Sequence, residues 1–352
     1  MIEGGHEQVF FCRDKLGKLK AIIAIHDTTL GPVLGGTRMY PYPSEDEALK
    51  DALRLAQGMT MKSAACGNNY GGGKGVIWGD PDKDKDEILF RAYGRFIEGL
   101  GGRFITGTDV GTVSSDFVYC LPETKYVVGL PVEYGGSGDT SILTAYGVFL
   151  GIKACLEEVF GSPELKGRTV AIQGVGKVGR KLAGHLHKEG ARLIVADVRS
   201  NVAAEVAEEF GAELADPSEI LFVDADVLSP NALGGVLNKD TIPRIKAKIV
   251  AGGANNQLET PEDAVRLKER GILYAPDYII NAGGVISVAD ELEGYNPERA
   301  RHKTEAIPGL LKTVFRIARE EGIDTYEAAN RMVARRLEAV RVLKSIYKGV
   351  KA

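Results

Sequence analysis

The sequence predicts an α/β protein of two domains, the second a doubly wound fold of Rossmann type. Three observations lead there. Arg168–Gln173 (RTVAIQ) reads as a strand ending on Gly174-Val175-Gly176-Lys177-Val178-Gly179, and a helical pattern follows to about Lys188, stopping at Gly190. The next strand, Arg192–Ala196, ends at Asp197, and short apolar runs at Asp226–Leu228, Lys248–Ala251, Leu273–Tyr274 and Ile279–Ile280 alternate with helical patterns. Tyr134–Gly138 (YGGSG) reads as a hinge. The expected boundaries are 1–135 for the first domain, joined by a C-terminal helix at about 325–352, and 136–324 for the second.

Gly-x-Gly-x-x-Gly after a strand, opening a helix, with an acid about 20 residues on, is the pattern of a dinucleotide site. Gly174 would make the turn, Gly176 would let backbone amides reach a pyrophosphate, and Gly179 would permit close helix–strand packing; Lys177 and Val178 complete the loop. The helix N-terminus favours negative charge. Asp197 would accept hydrogen bonds from a ribose 2′-hydroxyl and repel a 2′-phosphate, so NAD is expected over NADP, though Arg199 stands nearby.

Composition narrows the class. A hydrophobic content of 44% with 26% charge is that of a soluble globular chain, and the formal net charge of −4 argues against nucleic acid as the main partner. The four cysteines (Cys12, Cys66, Cys120, Cys155) lie far apart in apolar company, which points to buried free thiols rather than disulfides or a metal site. No apolar run reaches membrane-spanning length and MIEGGHEQ lacks the marks of a signal peptide, so a cytoplasmic protein without membrane contact is expected.

In the first domain, Val9–Cys12 and Leu19–His26 read as strands joined by a turn at Lys15–Lys18, and Gly31–Tyr40 as a loop with a glycine pair. Ser44 and Glu47 form a capping box before a helix with Leu49, Leu53 and Ala56 at helical spacing. Met59–Gly75 (MTMKSAACGNNYGGGKG) follows, with Lys62 and with Lys74 after three glycines. A lysine held on such a turn between apolar flanks would be partly desolvated, which makes it usable as a base near neutral pH. A phosphate-binding P-loop fails on spacing, since Asn68 and Gly75 stand where Gly and Ser/Thr are needed. A glycine-rich surface turn with a solvated lysine stays open. Strand Val76–Trp78, a helix at Glu87–Glu98 with Leu89, Tyr93 and Phe96 on one face, and a strand Phe104–Ile105 leading into TGTDVGT complete this half. Past the hinge, Val148, Ile152, Cys155 and Val159 form a helical stripe. The loops Gly253–Asn256 and Asn281–Gly284 bring amides to strand ends, or are ordinary Asn/Gly turns; helices at about Arg301–Glu321 and Tyr326–Lys348 close the chain.

Taken in order, GPVLGGTRM, GMTMKSA, GGGKG, TGTDVGT, GVGKVG, AGGANNQL and APDYIINAGGVISVADE resemble the amino acid dehydrogenase family of the leucine, phenylalanine, valine and glutamate enzymes, over nearly the whole chain. The resemblance implies an N-terminal substrate domain, a C-terminal NAD domain, a cleft between them and a homo-oligomer. It implies that Lys62 holds the substrate α-carboxylate with help from Gly35 and Gly36, that Lys74 is the catalytic lysine, and that Asp109 exchanges protons with the substrate nitrogen. Thr144 would contact the nicotinamide carboxamide, and Asn255 and Asn281 would lie near nicotinamide and substrate. Two nearby ammoniums oppose each other, so the lysine with the weaker anionic partner should lose its proton more easily; Lys74 is the expected one.

The same resemblance bears on the side chain. Leu34 stands where glutamate enzymes carry a lysine, and Val288 where they carry a serine, so a γ-carboxylate would lie unpaired. Gly107 and YGGSGDTS at Tyr134–Ser141 look like phenylalanine enzymes, whereas Val285 matches leucine enzymes. The expected substrate is a bulky apolar L-amino acid, phenylalanine slightly ahead of leucine. Asn231, where relatives often carry Cys, is a departure near the cofactor loop.

Overall fold

The computed structural model describes residues 4–16 and 18–344; the expected helical residues beyond 344, and Gly17 of the first turn, lie outside them. The chain divides into two compact units. One holds the residues up to Gly138, Ser287–Pro297 and the chain from Val333; the other holds Asp139–Ile286 and Glu298–Met332.

Among the described residues, the first unit builds one sheet from β1 (Gln8–Asp14), β2 (Leu19–Asp27), β3 (Val33–Tyr40), β4 (Gly71–Trp78) and β5 (Phe104–Thr108), in the order β1-β2-β4-β3-β5. β1, β2 and β4 pair antiparallel, while β3 pairs parallel with both β4 and β5. Both glycine segments are therefore strand, not the loop and turn expected. The expectation failed because glycine-rich runs are ordinarily poor strands; here each missing side chain answers a close approach described below.

Helix α1 (Glu45–Ala65) starts at Ser44, whose side chain accepts the Glu47 N–H, and covers one face with Ala48, Ala52 and Ala56 against Ile22, Ala24 and Val76. Its small residues let the helix lie close. The opposite face is covered by α2 (Glu87–Gly99), through Leu89, Phe90, Tyr93 and Ile97 on Ile23, Ile25, Val33 and Met39; Phe96 is only half-buried. Short α3 (Ser114–Val118) follows β5.

The second unit opens with α4 (Ser141–Phe160), whose stripe buries Val148, Ile152 and Cys155 but leaves Val159 at the surface. Its sheet is wholly parallel, from β6 (Thr169–Gln173), β7 (Arg192–Ala196), β8 (Glu213–Leu214), β9 (Val227–Pro230), β10 (Ile249–Val250) and β11 (Leu273–Tyr274), in the order β11-β10-β9-β6-β7-β8. The order reverses at β6, the switch point at which such sheets bind ligands. Helices α5 (Lys177–Lys188), α6 (Ser200–Phe210) and α7 (Glu262–Glu269) join the strands.

Ile279–Ile280 is not a strand but the end of α8 (Asp277–Ile280). Pro276 precedes its first turn and its carbonyl accepts the N–H of both isoleucines, and a two-residue apolar run carries no period to tell the two forms apart. After α9 (Gly283–Glu291), the segment expected as one helix is two, α10 (Pro297–Thr304) and α11 (Ile307–Glu321). Pro308 explains the break: without an N–H it fits the first turn of a new helix and not the interior of an old one. Helix α12 (Thr325–Lys344) ends the described chain. Cys120 and Cys155 are buried, while Cys12 and Cys66 are only half-buried; all four are free thiols. No described helix is long and apolar enough to cross a membrane.

Candidate active site

The glycines of β3 and β4 are explained by what lies where their side chains would be. A Cβ on Gly72 would fall 2.1 Å from both the backbone N and Oγ1 of Thr60, so α1 can rest on β4 only because position 72 is bare. A Cβ on Gly35 would fall 1.8 Å from the Gly73 carbonyl oxygen. On Gly36 it would fall 2.5 Å from the Thr108 carbonyl and 3.2 Å from the Asp109 Cβ. The two glycine motifs thus interlock, and they bring Lys74 and Asp109 together.

Lys74 is buried, its side chain 5% exposed, and its Nζ stands 3.0 Å from Asp109 Oδ1. A buried ammonium is strongly disfavoured unless it is paired, and Asp109 is its partner. The solvated surface lysine is excluded. Asp109 Oδ2 accepts a second bond, 2.9 Å, from Arg38 Nε. Arg38 Nη1 reaches Asp51 Oδ2 on α1 at 2.9 Å, and Asp51 also accepts the Tyr42 hydroxyl at 2.6 Å and Arg54 Nη2 at 3.2 Å. Burial pushes the Asp109 carboxyl up, but Lys74 and Arg38 outweigh it and hold the group below the usual carboxylate range. The backbone is fastened too: Thr112 Oγ1 accepts the Asp109 N–H at 2.9 Å and lies 2.9 Å from the Thr37 carbonyl.

Lys62 lies in the last turn of α1, two residues past Thr60. That turn is held from α12: the Arg336 guanidinium donates to the carbonyls of Ser63, Ala64 and Asn68 and to Asn69 Oδ1. Arg336, Arg38, Asp51 and Thr112 went unassigned in the sequence. Arg38 and Thr112 left a trace there, since they stand in the GPVLGGTRM and TGTDVGT segments.

In the second unit the glycine loop closes β6 onto α5. Gly174 has φ +83°, and a Cβ on Gly179 would lie 2.0 Å from the Gly174 carbonyl, so both are required by the turn itself. Gly176 differs: its Cβ would meet only Arg199 Nη2, at 3.6 Å. Packing within the protein does not demand glycine there, and the bare backbone leaves room for a group to approach it. Val178 Cγ1 would lie 3.1 Å from a Cβ on Gly253, and Lys177 opens α5. Asp197 Oδ2 accepts the Val175 N–H at 3.0 Å, and its Oδ1 accepts the Arg199 N–H at 3.0 Å. Burial raises its carboxyl, while the bonds from Arg199 and Val175 lower it further, so it stays ionised.

The two amide loops are hydrogen-bonded to each other. Asn281 Nδ2 donates to Asn255 Oδ1 at 2.9 Å and to the Gly253 carbonyl at 3.2 Å, while its own Oδ1 is buried without a partner. Asn231 Oδ1 accepts the Gly253 N–H at 2.9 Å, so this departure from the family pattern ties the same loop down. A Cβ on Gly284 would fall 2.8 Å from Thr144 Oγ1, which places that hydroxyl beside the Asn281–Gly284 segment.

Of the residues expected to shape a side-chain pocket, Leu34 and Val285 are buried and Val288 is half-buried. At Gly107 a Cβ would meet the Val128 carbonyl at 3.1 Å and Val128 Cγ2 at 3.3 Å, so the bare position lets these two segments lie close.

Comparison with known proteins agrees with this arrangement. Residues 6–126 match the Glu/Leu/Phe/Val dehydrogenase dimerisation domain, and residues 135–207 and 196–346 match the Glutamate/Leucine/Phenylalanine/Valine dehydrogenase domain. The chain is 57% identical to the leucine dehydrogenase of Geobacillus stearothermophilus, covering 97% of this chain and 93% of that protein. It is 52% identical to the phenylalanine dehydrogenase of Lysinibacillus sphaericus, over 97% and 91%. Among solved structures, the L-tryptophan dehydrogenase of Nostoc punctiforme superposes with a TM-score of 0.85 at 48% identity, over 97% of this chain and 98% of that one. A hetero-hexameric glutamate dehydrogenase of Thermus thermophilus superposes with a TM-score of 0.80 at 26% identity, over 97% and 91%. The chain belongs to the Glu/Leu/Phe/Val dehydrogenase family of amino acid dehydrogenases.

Proposed function

We propose that the protein catalyses the NAD-dependent, reversible oxidative deamination of a bulky apolar L-amino acid to its 2-oxo acid and ammonia, working as a homo-oligomer. The observation that carries the chemistry is the buried Lys74–Asp109 contact, an acid and a base held 3.0 Å apart on a glycine-lined sheet face. The residues of the second unit fit a dinucleotide: the open face of Gly176, the ionised Asp197 for a ribose hydroxyl, and the unmet Asn281 acceptor, with Thr144 beside it, for a carboxamide. A nicotinamide held by these residues would supply the acceptor for the hydride of the substrate Cα.

The protein's own part is charge and proton placement. Lys62, assisted by the Gly35–Gly36 backbone, neutralises the substrate α-carboxylate. Asp109 takes a proton from the substrate ammonium, because the nitrogen lone pair must be free before a carbon–nitrogen double bond can form. Lys74, the ammonium of the pair at rest, acts as a base once its own proton has left, and takes a proton from the water that attacks the resulting carbon. Asp109 then returns a proton to the departing nitrogen, and as ammonia leaves, the freed carboxylate takes the hydroxyl proton so that the carbonyl of the 2-oxo acid forms.

Leu34 in place of a cation makes a γ-carboxylate costly by several kcal/mol, which speaks against glutamate. Identity of 57% to a leucine enzyme against 52% to a phenylalanine enzyme favours leucine. Phenylalanine is the second reading, supported by the Tyr134–Ser141 sequence. Following NADH formation at 340 nm with Leu, Ile, Val, Phe, Trp and Glu tests both. Leu should head the panel; no NADH with any of them rejects the reaction.

A further inference from the structure

We propose that Arg38 is a positioning residue for this reaction: it pins one oxygen of Asp109 so that the other faces Lys74, and its charge, balanced by Asp51, sets how firmly the Lys74–Asp109 pair holds its proton. The inference rests on the reaction proposed above.

The geometry is a chain of alternating charge. Lys74 on β4 meets Asp109 Oδ1, Asp109 Oδ2 meets Arg38 Nε on β3, and Arg38 Nη1 meets Asp51 Oδ2 on α1. Arg38 spends different nitrogens of one planar fork on the two carboxylates, which fixes the plane of Asp109 as a lysine could not. A rotation of Asp109 about its side chain would have to break the 2.9 Å bond to Nε, so Oδ1 is the oxygen left for proton exchange. Asp51 is itself fixed, by the Tyr42 hydroxyl at 2.6 Å and by Arg54. The charged and titratable groups bonded into this chain include Arg38 from β3, Asp51 and Arg54 from α1, and Tyr42. Burial and Asp51 push the Tyr42 phenol upward, so it remains a donor.

A fixed positive charge lowers the proton affinity of every nearby group, and a fixed negative charge raises it. Removing Arg38 and removing Asp51 must therefore move the acidic limb of the kcat–pH profile in opposite directions, whichever member of the pair sets that limb. A merely structural role predicts no such pair of signs.

The test uses the full-length enzyme with NAD and its best amino acid, with thermal melting as the control for folding. Arg38→Gln should lower kcat by about 10²-fold, as expected for a misplaced reacting group, with KM for the amino acid changed by less than about 3-fold. Its acidic limb should move up by about one pH unit. Arg38→Lys, which keeps the charge and loses the fork, should lose rate while its limb stays near that of the parent. Asp51→Asn should move the limb down. If Arg38→Gln does not fold, the downward shift in Asp51→Asn carries the test alone. Limbs that coincide in parent and folded variants, or that move in the same direction, overturn the role of Arg38 while leaving the reaction standing; an inactive parent overturns both.

Discussion

Lys74 and Asp109 meet across a strand that belongs to neither: β3 lies between β4 and the end of β5 in the sheet, and opposite them it carries Gly35 and Gly36. Any side chain at position 36 would point into the Thr108 carbonyl at 2.5 Å, a backbone atom that cannot swing aside. Gly36→Ala should therefore displace the β5 end that carries Asp109. We expect a loss of stability of about 1–3 kcal/mol and a fall in kcat of at least about 10-fold. Melting temperature and kcat measured together check this, and an alanine variant as active as the parent would mean that the spacing is not needed.

The pair itself makes a sharper prediction. Lys74→Met removes the base but leaves Asp109 with Arg38, so kcat should drop by about 10²–10⁴-fold with the fold intact. Asp109→Asn removes the counter-charge of a buried ammonium, so it should lose activity and also up to about 3 kcal/mol of stability. Because the Asp109 carboxyl is depressed in the folded protein, its stabilisation is present above the ordinary carboxylate range and is lost as pH falls through the folded value. Melting curves from pH 6 to pH 3 should show that acid loss in the parent and a shallower one in Asp109→Asn.

The legibility of these features in the sequence differs by their range. The strand–glycine loop–helix unit at Thr169–Lys188 was readable because its signals are local: a short apolar run, fixed glycine spacing, an acid 20 residues on. Gly71–Gly73 misled for the opposite reason. What makes them strand is Thr60 at Gly72, Val33 at Gly73 and Asp27 at Gly71, contacts made only once the chain has folded. Pro308 was a local signal that was missed. Arg38 and Arg336 act on partners 71 and 273 residues away, and no spacing within one element reports such bonds.

Arg336 links the C-terminal helix to the turn of α1 that carries Lys62. Its guanidinium sits on carbonyls that an ending helix leaves without intrahelical donors. Arg336→Ala should cost about 2 kcal/mol, the scale of one charge-assisted hydrogen bond once solvent competition is allowed for. If Lys62 holds the substrate carboxylate, KM for the amino acid should rise more than kcat falls. A variant with reduced melting temperature but an unchanged KM would show that the cap serves stability alone.

Asp197 engages both the glycine loop and Arg199, so one substitution changes two things at once. Asp197→Ser would remove the charge that repels a 2′-phosphate and would release the Arg199 guanidinium from its 3.3 Å contact. The expected result is a preference for NAD over NADP reduced by 10-fold or more, about 1.4 kcal/mol at the cofactor site. Comparing kcat/KM with the two cofactors in parent and variant decides it. An unchanged ratio would place cofactor choice elsewhere in the loop.

His26 gives a prediction about stability rather than turnover. Its Nδ1 lies 2.8 Å from Thr60 Oγ1, the group packed against Gly72, and its ring stands edge-on to His6 at 4.8 Å. Burial pushes the His26 imidazole below its ordinary value, and His6 pushes the same way, against smaller opposing effects of Asp27 and Glu7. A base whose folded value is depressed is neutral in both states well above pH 6.5 and adds nothing there. As pH falls below 6.5 the unfolded chain takes up a proton that the folded protein refuses, so stability declines until the folded value is passed. His185, lowered by burial and by Lys188 and Arg301, acts in the same direction. Melting temperature should therefore fall between pH 7.5 and pH 5, and His26→Asn should flatten that slope without abolishing it. A parent protein whose melting temperature is level across that range would show that the His26 imidazole is solvated enough to titrate normally.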